Sequence, residues 1–179
     1  MTYKYLFIFV EGKDDKEFFE RIIKPKLNIK YDTIQIVEYS NLSDKKINEL
    51  IKSINSYADY IFITDNDNCP CITTRKEKDN TQYQQLNISN IIVSVEVIEG
   101  WYLSGLNKEG IKKLRMDNDL LKRASFKPDK ITKENFIRLQ KPFFDSIIDF
   151  RQEILHLFDF ETAKQNNASF KYFVDKYIA

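Results

Sequence analysis

Hydrophobic and polar positions along the chain fall into two periods that take turns, one suited to strands and one to helices. Tyr5-Leu-Phe-Ile-Phe-Val10 is an unbroken apolar run closed by Glu11-Gly12, the pattern of a strand buried on both faces and followed by a tight turn. Asp14 and Asp15 suit the first turn of a helix, and Phe18, Phe19, Ile22 and Ile23 recur at helical spacing until Pro25 ends the pattern. Residues 33–37 alternate as a strand, Ser43 is placed to cap a helix, and Ile47, Leu50, Ile51 and Ile54 form its apolar stripe. A third short apolar run, residues 60–63, stops at Thr64-Asp65-Asn66-Asp67-Asn68, a cluster of turn formers. The polar stretch 73–85 reads as an exposed helix or a mobile loop. Residues 90–95 form the fourth strand pattern, and residues 96–106 a short helix ending near Gly105.

Strands alternating with helices predict an α/β fold with a mostly parallel four-stranded sheet and right-handed crossovers. Beyond Asn107 strand signals cease. Helices are expected over 108–115, 132–139, 142–158, with Pro142 at the favoured first position, and 169–177. The expected organisation is an α/β core over 1–106 and a helical extension over 107–179 packed on the same domain, with no repeat and no low-complexity linker.

Composition narrows this picture without redirecting it. A hydrophobic content of 42%, with 14 Phe and 10 Tyr in 179 residues, supplies a core, and 4 Gly with 4 Pro argue against a loop-dominated chain. Charge is balanced at 28 Lys+Arg against 27 Asp+Glu, so no global field draws the chain to nucleic acid. The lysines and arginines of the C-terminal half, Lys112, Lys122, Arg123 and Lys130 among them, read first as a solvated surface. Lys127 and Lys141, each beside a proline, could reach a phosphate, though surface lysine is the simpler reading. Cys69 and Cys71 stand in C-x-C spacing with His156 the one further soft ligand, too few for structural zinc. His156 reads as a partly buried packing residue of its helix. The amino-terminal apolar run falls far short of the roughly 20 residues that span a bilayer, so a cytoplasmic location without membrane association is expected.

In open parallel sheets, functional groups collect beyond the carboxyl ends of the strands. Acidic residues meet that condition three times: Glu11 with Asp14 and Asp15, Asp65 with Asp67, and Glu96 with Glu99. Converging carboxylates repel one another unless a cation joins them, and hard oxygen donors suit Mg²⁺ or Mn²⁺. Asp65 and Asp67 would share a face if the D-x-D segment stays extended.

Phe7-Ile-Phe-Val-Glu11-Gly12-Lys-Asp-Asp15 resembles the first motif of Toprim domains, and Phe62-Ile-Thr-Asp65-Asn-Asp67 resembles their D-x-D motif. Val97-Ile-Glu99-Gly-Trp101-Tyr-Leu103 and Ser169-Phe170 resemble segments of stand-alone Toprim-like proteins and of the overcoming-lysogenization-defect (OLD) nuclease group. The resemblance implies a Toprim/Rossmann-like fold and metal-dependent phosphodiester hydrolysis on DNA or RNA. It casts Glu11, Asp65 and Asp67 as catalytic and metal-binding residues, and Asp15 and Glu99 as further ligands. One or two Mg²⁺ or Mn²⁺ ions are implied, with nucleic acid as partner and a partner ATPase possible by the same analogy. Asn68-Cys69-Pro70-Cys71 replaces the glycine-containing turn that often follows the D-x-D of topoisomerases and primases, which argues against that branch.

Three other classes compete with this reading. A non-catalytic Toprim-like module that binds nucleic acid or a partner ATPase is the alternative. A phosphoacceptor receiver would need an early Asp pair and a lysine after a fifth strand, and a HAD-type phosphatase would place D-x-D after the first strand. This sequence matches neither.

Overall fold

A computed structural model of the chain describes residues 3–116, 127–140 and 144–179. Lys122, Arg123, Lys141 and Pro142 lie outside the described residues. Contacts divide the chain into two compact units, Met1–Val93 with Ile178 and Ser94–Tyr177 with Ala179.

The first unit holds the sheet. β1 (Tyr5–Val10), β2 (Thr33–Glu38), β3 (Asp59–Asp65) and β4 (Ile91–Ser94) run parallel in the spatial order β2-β1-β3-β4. β1 is the central strand of the register, pairing Tyr5 with Thr33 through Val10 with Glu38 on one side, and Leu6 with Asp59 through Phe9 with Phe62 on the other. That double pairing explains why its side chains form a continuous buried run. The chain leaves β1 toward β2 and then returns to place β3 on the opposite side, so the direction of winding reverses between β1 and β3. In open α/β sheets the crevice for ligands opens at such a switch point, outside the carboxyl ends of the strands.

α1 (Lys13–Phe18), a π-helical turn (Phe19–Ile23) and α2 (Lys24–Leu27) follow β1. Pro25 does not end the helical pattern as expected. It sits in the first turn of α2, where its missing N–H costs nothing, and the wider π turn before it carries the chain around with Lys24 N–H donating to the Phe19 carbonyl. α3 (Asp44–Ile54) begins at the predicted cap: Ser43 Oγ accepts from Lys46 N–H, and Ile47, Ile51 and Ile54 are buried. They pack with Phe7, Phe9, Tyr39, Tyr60, Phe62 and Tyr83 in one aromatic-rich cluster on one face of the sheet.

The polar stretch after β3 is α4 (Ile72–Gln82), a well-formed helix rather than a loop. It lacks an apolar stripe because its inward face is charged: Arg75 and Asp79, one turn apart, are both buried and ion-paired at 3.1 Å.

The second unit is helical: α5 (Glu99–Ser104), α6 (Lys108–Lys113), α7 (Lys133–Gln140), α8 (Ile147–His156), α9 (Phe160–Asn166) and α10 (Ala168–Tyr177). α9 is an addition to the expected set. Asp159 caps it, accepting from Thr162 N–H at 2.7 Å, and Asn167 breaks it from α10. His156 is exposed at the end of α8, where a helix C-terminus leaves side chains in water, and it is not the partly buried packing residue expected. Among the described residues no helix is long and apolar enough to cross a membrane.

Candidate functional site at the β1–β3 switch point

Strand register assembles the site. Continuing the β1–β3 pairing two residues beyond Phe9 and Phe62 puts Glu11 level with Thr64. Continuing the β1–β2 pairing one residue beyond Val10 and Glu38 puts Glu11 level with Tyr39, and the Tyr39 N–H donates to the Val10 carbonyl at 2.9 Å. Because alternate strand residues share a face, Glu11, Tyr39 and Thr64 continue the rows of Phe9, Val37 and Phe62 on the aromatic face of the sheet. Asp65, the last residue of β3, belongs to the opposite face.

The D-x-D segment stays extended only as far as Asp65. Asp67 and Asn68 take φ of 48° and 58°, and the Cys69 N–H donates to the Asn66 carbonyl at 3.0 Å, closing a tight turn with both central residues left-handed. Asp and Asn tolerate that conformation better than other residues with a Cβ, which is why this turn can form without glycine. The two aspartates therefore do not project in parallel. Asp67 instead reaches Arg75, whose Nη1 donates to Asp67 Oδ2 at 2.7 Å.

Arg75 is the hub of this corner. Its Nε donates to Asp79 Oδ2 and to Thr64 Oγ1, each at 3.1 Å, and Nη2 also donates to Thr64. Burial alone would lower the Arg75 pKa, but the negative charges of Asp79 and Asp67 more than reverse it. Burial holds the Asp79 carboxyl above its ordinary range in spite of Arg75. Both pKa values are raised, which favours the charged arginine and opposes the charged carboxylate; Arg75 stays charged, as arginine does in proteins, and its charge and hydrogen bond act to keep Asp79 ionised. Tyr39 is raised well above its usual value, by burial first and then by the charge of Glu11. Thr64 lies beside its hydroxyl, yet among the described residues the geometry gives the buried Tyr39 O–H no hydrogen-bond partner.

Asp15 has a local structural task. Its Oδ2 accepts from the Gly12 N–H at 3.1 Å, bracing the start of α1 from the third helical position. Glu11 is exposed at the strand end.

Glu99 lies in the second unit, buried at the start of α5. Arg151 Nη2 of α8 donates to its Oε1 at 3.4 Å, and the same guanidinium lies 5.8 Å from the Phe136 ring centre. Around it, Trp101 Nε1 donates to Ser169 Oγ at 2.8 Å, so the aromatic segment after β4 and the carboxy-terminal Ser-Phe are parts of one packed network. Lys127 is exposed, and both cysteines are free thiols.

Arg75, Asp79, Tyr39 and Arg151 were not singled out from the sequence. The four-residue spacing of Arg75 and Asp79 was the available signal, and a lone arginine in the apolar stripe of α8 was the other.

Oxygen donors suit a hard divalent cation, and Mg²⁺ takes as few as one or two carboxylates while keeping several waters. Glu11, Asp65 and Asp67 are chemically of that kind. Among the described residues, no group of three or more His, Cys, Asp or Glu side chains is drawn together closely enough to enclose an ion.

The fold is of the Toprim/Rossmann-like α/β class, a parallel four-stranded sheet flanked by helices with further helices after it. It is similar to the solved C-terminal region of the OLD protein of Xanthomonas campestris pv. campestris, with a TM-score of 0.52 and 13% identity, over 97% of this chain and 93% of that one. At that identity the likeness is one of fold. No protein-family model matches the chain. No curated protein matches it either.

Proposed function

We propose that this protein is a Toprim-like, metal-dependent module that hydrolyses phosphodiester bonds in DNA or RNA, with its chemistry at Glu11, Asp65 and Asp67. The observation that carries the reading is that Glu11 and Asp65 flank the β1–β3 switch point at the carboxyl ends of adjacent strands. Asp65 and Asp67 would hold Mg²⁺ or Mn²⁺, one ion or two, with Glu11 as ligand or proton acceptor and Asp15 as an additional ligand. A divalent cation there supplies charge neutralisation at the phosphate and a more acidic water. The carboxylate of Glu11, exposed at the strand end, would serve as a proton acceptor there. Asp15 keeps the Glu11-Gly12 turn in place through its bond to the Gly12 N–H.

A second reading is a non-catalytic module that binds nucleic acid or a partner ATPase. It is favoured by the resting pairs Asp67–Arg75 and Glu99–Arg151, which occupy two of the five candidate carboxylates. The structural neighbour is itself one region of a larger protein.

Cleavage of plasmid DNA and of labelled RNA with Mg²⁺ or Mn²⁺ separates the two. The enzyme reading expects cleavage by the purified chain that is lost in both Glu11→Gln and Asp65→Asn. Undiminished cleavage in both variants sinks the assigned site, and retained nucleic-acid binding without any cleavage selects the second reading.

A further inference from the structure

Asp67 belongs to a turn that does not determine where its carboxylate points. Its backbone is left-handed at φ 48° and its side chain is 55% exposed, so in isolation the group would exchange rotamers in water. Arg75 removes that freedom. The guanidinium is 9% exposed and braced by Asp79, itself 2% exposed, and by Thr64 of β3. With Nε and Nη2 engaged there, Nη1 projects toward the turn in a fixed direction and holds Asp67 Oδ2.

We propose that Arg75 is a positioning residue of the candidate site: braced by Asp79 and Thr64, it holds one oxygen of Asp67 and so directs the other at an incoming cation. The inference rests on the metal reading above and deepens it. A carboxylate has two oxygens and about four acceptor sites, so one arginine N–H does not exhaust Asp67. Nor does Arg75 simply repel a cation, because the buried Asp79 carboxylate balances its charge within the same ion pair. A lysine could not replace it: one ammonium cannot grip Asp79, Thr64 and Asp67 in three fixed planar directions.

Mn²⁺ affinity of the full chain, read by electron paramagnetic resonance of the free ion, tests this in a four-member cycle: wild type, Arg75→Lys, Asp67→Asn and the double variant. Groups that orient a metal-binding carboxylate commonly change affinity by about 10–100-fold, so Arg75→Lys is expected to weaken Mn²⁺ at least 10-fold. The effect should vanish in the Asp67→Asn background, since Arg75 acts through Asp67. In the absence of metal, amide exchange at Cys69 should quicken in Arg75→Lys, because the turn loses its anchor. Wild-type affinity in Arg75→Lys, or an equal loss with and without Asp67, overturns the proposal while leaving the metal reading intact. No Mn²⁺ binding by the wild type at millimolar concentration overturns both. Should Arg75→Lys fail to fold, Asp79→Asn removes the brace and enters the same cycle with the same expectation.

Discussion

Trp101 and Ser169, 68 residues apart, meet through a buried hydrogen bond in which the indole N–H donates to the serine hydroxyl at 2.8 Å. The same Ser169 Oγ accepts from the Val95 N–H at 3.4 Å and donates to Asn167 Oδ1 at 2.9 Å. One hydroxyl thus satisfies the end of β4, the core tryptophan and the start of α10. The segment after β4 and the carboxy-terminal Ser169-Phe170 thus share one packing role.

Ser169→Ala should therefore destabilise the protein, because the buried Trp101 N–H and the half-buried Val95 N–H lose their acceptor at once. Leaving such groups unpaired costs about 1–3 kcal/mol. Urea unfolding of the variant should show a lower midpoint at an unchanged slope. An unshifted midpoint would mean that water replaces the hydroxyl.

Gly100 and Gly12 should respond very differently to alanine. A Cβ on Gly100 would stand 2.6 Å from the Pro128 carbonyl oxygen, a backbone atom that cannot rotate away. Overpacking of this kind costs about 1–3 kcal/mol. At Gly12 no atom of the described residues lies within 4 Å of the added atom, and its φ of −141° is extended backbone open to any residue. Gly12→Ala should change stability by less than about 0.5 kcal/mol, the scale of a surface substitution. Thermal melts of the two variants give the comparison, and equal losses would refute it.

Acid should remove the Asp159 cap. Hydrogen bonds from the Thr162 hydroxyl and then its backbone N–H hold the Asp159 carboxyl below its usual range. With the folded pKa below the unfolded 3.8, the unfolded chain binds the proton more readily in that window, so this stabilisation is present above pH 3.8 and is lost as pH falls through the folded value. Asp159→Asn caps without titrating and should lack this dependence, whereas Asp159→Ala should lose about 0.5–2 kcal/mol at neutral pH. Urea midpoints from pH 2.5 to 6 read the difference, and parallel curves for wild type and Asp159→Asn would contradict it.

Cys71 should be alkylated before Cys69. The Thr74 hydroxyl and backbone N–H lower its thiol pKa, and it is exposed at the start of α4, while Cys69 is half-buried in the turn. Thiolate fraction and access set the rate. Peptide mapping after a short iodoacetamide pulse should find the label chiefly on Cys71, and preferential labelling of Cys69 would show that burial there is incomplete.

Alternation of strand and helix patterns, the Ser43 cap and the acidic strand ends were all readable from the sequence, because they depend on neighbours three or four residues away, or two along a strand. β1 matches its apolar run from Tyr5 to Val10 for that reason. What could not be read is what depends on a partner far along the chain. The stretch of α4 reads equally as an exposed helix or a mobile loop until Arg75 has Asp79 to neutralise it and Thr64, 11 residues earlier, to receive it. The bend at Asp67 is permitted by local chemistry but is tied down only by Arg75. Glu99 reads as a strand-end acid until Arg151, 52 residues later, pairs with it. Local periodicity thus determined the sheet and the placing of Glu11 and Asp65 at its carboxyl edge. Tertiary packing decided which carboxylates are held by arginine, because a charge can be buried only where the fold brings it a partner.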